Sequence, residues 1–255
     1  MSGALEIAAV GMRAHQRALD AIANNVSNMN TPAFKRSDIR FSELVDAAQV
    51  GSEASGIRGD ALAGVQFRAS PFVDGQGKLQ PTGNPYDLAI DGAGFIELMG
   101  SAGRTLLWRG GTLRVLSDGV LATSGGLGLK ANINVPEDAT ALRIDRRGQV
   151  FAKLGDSAKE SELGSITLVK PADATSLERL DGGMYGLADG ETVAEAGAGE
   201  EGMGYFAQSS LEQSNVDLNS EMIGLIMAQR AYGASAQVAK AADELHGIAN
   251  GLRGS

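Results

Sequence analysis

Two helical seams, one at each end of the chain, restrict this sequence more than any other feature. Leu5, Ala8, Met12, His15, Leu19, Ile22 and Val26 follow one another in alternating steps of three and four residues. Met227, Ala231, Ala234, Val238, Ala241, Leu245, Ile248 and Leu252 alternate in the same way. This is the repeat of a helix whose narrow apolar stripe lies against another helix. A stripe so narrow builds no core alone, so each seam needs a partner helix, from the opposite terminus or from a second chain. The alanines of the second seam permit close approach but bury little area each, and the repeat is stricter than the core face of a globular helix requires. Both features point to assembly before chemistry.

The first helix is predicted over about residues 4–26. An asparagine-rich run closes it, and Pro32 stops it, because the residue before a proline is pushed out of the α region. The second helix starts near Asp217, with Ser214, Asn215 and Asp217 as cap candidates, and ends near Gly251. Between them, 34–41 reads as extended, 42–50 as a short helical stretch and 51–64 as a Gly-rich linker.

Short alternating runs broken by turn residues then predict an all-β unit. A strand is expected at 65–73. Hairpins are expected around Asp91-Gly92 (87–90 with 94–98), Gly110-Gly111 (105–108 with 112–116), Asp118-Gly119 and Arg146-Arg147-Gly148 (141–144 with 149–153), since Asp-Gly and related pairs tolerate the positive φ of tight turns. The last clear strand is 166–169, and 181–204 reads as acidic, Gly-rich loop. The expected fold is α+β: terminal helices paired as a coiled-coil-like unit (1–40 and 207–255), an extended segment and linker (41–75), and an outer β-rich domain inserted between the helices (76–206).

Composition fits such an architecture. Only 5 % of residues are aromatic and 35 are glycine, which favours thin layers over a bulky core. The net charge of −9 resides in 41–206, where 14 basic residues face 23 acidic ones, while the two terminal regions nearly balance. Phosphate binding needs a positive field, so nucleic acid is not an expected partner. Cysteine is absent, which removes disulfides and thiolate metal sites. The N-terminal sequence does not read as a secretory leader, and no run approaches the roughly 20 apolar residues of a membrane span.

Catalytic groups are sparse. The two histidines, His15 and His246, both fall in helices, and His15 lies on a seam; neither has the convergent partners that catalysis or zinc binding needs. Gly92-Ala93-Gly94 and Gly125-Gly126-Leu127-Gly128 lack the continuation of a nucleotide loop and read as turns. Asp87, Asp91, Asp118 and Asp145 stand at turns, where short carboxylates cap backbone amides. An enzyme using two such carboxylates is the rival reading, although little beyond Trp108 and Tyr86 could line a sugar groove. No catalytic, metal or cofactor residue is assigned.

Three segments carry a family resemblance. ALDAIANNVSNMNTPAFKR (18–36) resembles the N-terminal motif of bacterial flagellar rod and hook proteins, SSLEQSNVDLNSEMIGLIMAQRAYGASAQVAKAADEL (209–245) their C-terminal motif, and NPYDLAIDGAGF (84–95) the opening of their β domain. The motif positions are Asn24, Asn25, Asn28, Thr31, Phe34 and Lys35 at one end, and Ser214, Asn215, Val216, Asp217, Gln229, Arg230, Ala231 and Tyr232 at the other. The resemblance implies a structural rod subunit of the flagellar basal body, exported by the flagellar type III apparatus and polymerising into a helical tube. Implied partners are copies of itself, other rod proteins, the hook and surrounding rings, with no cofactor, no nucleic acid and no membrane insertion. The assembly surface is then expected at Leu5, Met12, Leu19, Ile22, Val26, Met227, Ala234, Val238, Leu245, Ile248 and Leu252. Three positions depart from the family pattern. Pro32-Ala33 stands where a glycine commonly precedes Phe34, Arg109-Gly110-Gly111 where an Arg-Asp-Gly turn is usual, and Gly233 where an acid is typical.

Overall fold

The computed structural model describes residues 2–43, 65–71, 75–100, 104–155, 160–173, 177–180, 182–187 and 191–253. The linker predicted at 51–64, and most of the helical stretch predicted at 42–50, lie outside the described residues. The chain divides into two units. The helical unit holds α1 (Ser2–Ser27), the strand pair β1 (Ser37–Glu43) and β2 (Val65–Pro71, whose last residue opens the other unit), and α2 (Leu218–Arg253).

Within the helical unit α1 packs on α2. A Cβ added to Gly11 would lie 3.2 Å from Ser235 Oγ, and one added to Gly224 would lie 3.4 Å from Ile22 Cδ1. Position 11 therefore faces 235 and position 22 faces 224, so the two helices run antiparallel. In that register Ser2 falls opposite Glu244, and the last turns of α2 extend past the start of α1. Small residues set the contact: Ala8 and Ala14 are buried on α1, Ala228 and Ala242 on α2. Both helices have predictable ends. Asp217 caps α2, its Oδ2 accepting from the Ser220 amide at 3.1 Å and the Ser220 hydroxyl at 2.6 Å; these bonds hold its carboxyl below the usual carboxylate range.

The second unit comprises 28–36 and 71–216. Its strands are β3 (Leu79–Pro81), β4 (Asp87–Asp91), β5 (Ile96–Met99), β6 (Thr105–Trp108), β7 (Gly110–Val115), β8 (Leu121–Thr123), β9 (Ala139–Ile144), β10 (Gln149–Leu154) and β11 (Glu160–Ser165). They are followed by β12 (Leu168–Pro171), β13 (Glu178–Arg179), β14 (Met184–Gly186), β15 (Val193–Ala196), β16 (Tyr205–Gln208) and β17 (Ser210–Glu212). Two four-stranded sheets, ordered β16-β4-β7-β8 and β13-β14-β6-β5, adjoin the three-stranded sheet β11-β10-β9 and the pairs β12-β15 and β17-β3. The main core is mostly aliphatic, with Leu88, Ile90, Ile96, Leu121, Leu129, Val150 and Leu168 around Trp108 and Phe206. A smaller cluster centres on Phe95 and Tyr185, whose rings meet edge to face at 5.4 Å.

Two expected hairpins form. β7 pairs with β8, Asp118 bonding the Val120 amide in the turn. β9 pairs with β10, with Asp145 Oδ1 accepting from the Arg147 and Gln149 amides. The other two do not form. β4 and β5, on either side of Asp91-Gly92, join different sheets, as do β6 and β7 on either side of Arg109. At Gly92 (φ 115°) the chain crosses between sheets against Gly204, whose Cα would lie 2.7 Å from an added Cβ. At Gly110 (φ 117°) an added Cβ would meet the Leu88 carbonyl oxygen at 2.5 Å. These glycines serve sheet-to-sheet crossings in place of tight turns. Strand content also continues beyond 169, and 181–204 contains β14 and β15.

Candidate assembly site

Two of the three family-motif segments, the first and the last, meet within the β unit at one buried polar cluster. Residues 33–36 and 212–215 run side by side, with the Ala33 amide donating to Glu212 O at 2.7 Å, the Asn215 amide to Phe34 O at 3.3 Å, and the Arg36 amide to Asn215 Oδ1 at 2.6 Å. A third passage, 75–77, joins them. Gly75 O accepts from Lys35 Nζ at 2.8 Å and from Asn215 Nδ2 at 2.7 Å. Gly77 lies so close that an added Cβ would sit 1.8 Å from Gln213 O.

Glu212 is the centre of this cluster. Its Oε1 accepts from Lys35 Nζ at 2.6 Å and from the Gly77 amide at 2.8 Å; its Oε2 accepts from Arg109 Nε at 2.9 Å. The three charged side chains are only 1–3 % exposed. Arg109 also donates to the carbonyls of Gly92 and Gly94, so the Arg-Gly-Gly sequence belongs to the interior. Around the cluster, Arg179 donates to Lys35 O and stands 4.3 Å over the Phe34 ring. Burial depresses its guanidinium and pushes the phenol of nearby Tyr185 well up.

The bend after α1 is carried by Ala33, at φ 58°. Its methyl group has room because Gly183 stands opposite, where an added Cβ would be 3.2 Å from Ala33 Cβ. In the helical unit Asn25 is buried and bonds Ser37 in both directions, Nδ2 to Ser37 O at 3.0 Å and the Ser37 amide to Oδ1 at 2.8 Å. Asn28 takes the Thr31 hydroxyl, the Thr31 amide bonds its carbonyl, and Ser214 bonds the Val216 amide. Asn24, Gln229, Arg230 and Tyr232 are exposed, while Val216 and Ala231 are half-buried.

The two seams differ in where they face. On α1, Leu5, Met12, His15, Leu19, Ile22 and Val26 are all half-buried and Ala8 is buried. On α2 the expected stripe points outward: Met227, Val238, Leu245 and Ile248 are between 54 % and 66 % exposed, and Ala234 is exposed. The face towards α1 lies one residue further on, through Ala228, Ser235, Ala239 and Ala242. Small side chains let the backbones approach, so the larger residues are left outside. Leu252 lies in the last turn of α2.

The acids of the rival reading are structural. Buried Asp87 accepts from the hydroxyls of Thr82 and Thr112, both at 2.7 Å, and from Asn84 Nδ2 at 3.0 Å. Asp118 and Asp145 cap turns, and Asp91 is exposed. Among the described residues no group of three or more His, Cys, Asp or Glu is placed to hold a metal ion, and no helix is long and apolar enough to cross a membrane.

Three family models match in chain order: the flagella basal body rod protein model over 5–35, the D1 domain of the flagellar hook protein FlgE/F/G over 89–152, and the C-terminal region of the flagellar basal body rod FlgEFG proteins over 207–252. The chain is 36 % identical over 254 residues to the flagellar basal-body rod protein FlgG of Agrobacterium fabrum, covering 96 % of this chain and 97 % of the relative. The chain belongs to the flagellar basal-body rod protein family. It is also 34 % identical to the protein of the same name in Borreliella burgdorferi, over 99 % of both chains, and 29 % identical to that of Bacillus subtilis, over 92 % and 93 %. As a rod-family member it is a structural component of the flagellar basal body and not an enzyme, and the carboxylate-enzyme reading has no support. The terminal models contain the residues of the cluster at both ends, Lys35 in one and Glu212 with Asn215 in the other. Glu212 and Arg109 escaped assignment from sequence. The available signal was slight: a carboxylate two residues ahead of Ser214-Asn215.

Proposed function

We propose that this rod subunit polymerises by seating the outward stripe of α2 against helices of neighbouring copies. The observation that carries the reading is the row of large apolar side chains left uncovered on one helix: Ile223, Met227, Val238, Leu245 and Ile248, each more than half exposed. Fully burying one such side chain is worth about 1.5–3 kcal/mol, so covering the row supplies a substantial driving force. The small-residue face already holds α1, and the outward face serves contacts between subunits. Such contacts join different faces of identical chains, and where the rotation between neighbours does not close a ring they repeat into a helical tube.

In this reading the tube is a drive shaft that passes torque to the hook. The distal part of the rod is the preferred location, supported by near-full-length similarity to relatives named FlgG; the proximal rod is the alternative. Its partners are further rod proteins, the hook and surrounding rings, and it reaches the rod through the flagellar type III apparatus. Electron microscopy of the purified full-length chain, concentrated stepwise, tests assembly. Tubes from the unaltered chain and none from Val238→Asp support the reading, whereas tubes of normal length from Val238→Asp overturn it.

A further inference from the structure

The segments that meet at Glu212 carry little apolar pattern. Residues 33–36 are Ala-Phe-Lys-Arg and 212–215 are Glu-Gln-Ser-Asn, so Phe34 is the one large apolar side chain between them. Where polar stretches lie side by side, hydrophobic patterning specifies their register weakly. Charge takes that role here. A slip of 212–215 by one position along 33–36 would carry the carboxylate away from Lys35, Arg109 and the Gly77 amide together, leaving two buried cations without it. Fixing a register is the best-attested use of a buried polar group, and it need not add stability over an apolar replacement.

We propose that Glu212 is a register lock. Its buried carboxylate holds Lys35, Arg109 and Gly77 at once and admits one alignment of the segment that follows α1 with the segment that precedes α2. The lock acts within the single chain, so it stands or falls apart from how subunits meet.

Amide exchange on the full-length monomer, read by mass spectrometry under native conditions, separates a lock from a plain stabilising contact. Glu212→Asp keeps the charge but shortens its reach. The Ala33, Gly77, Gln213 and Asn215 amides are expected to exchange at least tenfold faster, while those of Ile90 and Phe206 keep their protection. A second variant, Lys35→Met with Arg109→Met and Glu212→Met, removes every charge of the cluster. Its thermal midpoint is expected to stay level or rise, yet the same four amides lose protection. Unchanged exchange at those amides in either variant overturns the lock. So does a uniform loss across the whole β unit in Glu212→Asp, which would mark the cluster as a stabilising contact alone. Should the methionine variant not fold, the aspartate variant decides by itself.

Discussion

Lys35 Nζ donates to Glu212 Oε1 at 2.6 Å across 177 residues of chain, with both side chains 1 % exposed. Removing one member of a buried ion pair costs about 3–5 kcal/mol, because the other is left desolvated and uncompensated. Glu212→Gln withdraws the carboxylate from two cations at once, so its loss belongs at the upper end of that range. Urea unfolding followed by the fluorescence of Trp108, the single tryptophan, reads it directly. The Arg143–Glu160 pair is the control: its side chains are 48 % and 43 % exposed, and exposed pairs contribute little. Glu160→Gln should leave the midpoint within experimental scatter, and equal shifts for the two variants would contradict this ranking.

Ala33 and Gly183 form a second long-range pair with a checkable energy. An alanine at positive φ is strained by about 1–2 kcal/mol relative to glycine, partly offset by the greater chain entropy that glycine loses on folding. Ala33→Gly is therefore expected to leave stability unchanged or raise it by up to about 1 kcal/mol. Gly183→Ala adds a methyl group at φ 72°, 3.2 Å from Ala33 Cβ, and should cost about 1–2 kcal/mol. The double variant should recover part of that loss, since the two methyl groups no longer meet. Strict additivity in denaturant midpoints would show that the contact is already relaxed.

Legibility in the sequence followed the range of each signal. Helix limits came within two residues because asparagine, proline and Asp217 act locally. The β7–β8 and β9–β10 hairpins were readable for the same reason: Asp118 and Asp145 bond amides two to four residues away. Asp91-Gly92 and Gly110-Gly111 misled because a glycine marks unusual φ without saying whether the chain turns back or crosses to another sheet. Strand β14, three residues long, has no periodicity to detect. The phase of α2 was ambiguous, since alanine occupies both stripes, at 231, 234 and 241 on one and at 228, 239 and 242 on the other. Lys35 and Glu212 could not be paired by spacing at all.

The Asp217 cap carries a pH dependence of known sign. Hydrogen bonds from Ser220 lower the carboxyl's pKa in the folded chain, so the cap's contribution is complete above the unfolded value near 3.9. It is lost as pH falls through the lower folded value. Exchange of the Ser220 and Glu221 amides, corrected for intrinsic rate, should be steady from neutral pH down to about 4 and then rise. Asp217→Ala should exchange faster from neutral pH downward, the parent chain converging on its rate once the pH falls below the folded value. A profile in the parent chain that begins to rise well above pH 4 would assign the fraying to another group.

Leu19 and Leu245 separate contacts inside the subunit from contacts between subunits. Leu19 is half-buried on α1, one turn from Ile22, whose side chain faces Gly224 of α2, whereas Leu245 is 62 % exposed and lies where α2 extends past the start of α1. A carboxylate at 19 must be desolvated for the helices to pair, so Leu19→Asp should lower helical circular dichroism in the dilute monomer and block tubes as well. A carboxylate at 245 stays in water until a neighbour covers it. Leu245→Asp should therefore keep the monomer spectrum and thermal transition of the parent chain and still fail to polymerise, because each new contact would bury an unpaired charge. Sedimentation velocity across a concentration series measures both variants. Assembly by Leu245→Asp at the parent concentration would place the interface on another face of α2.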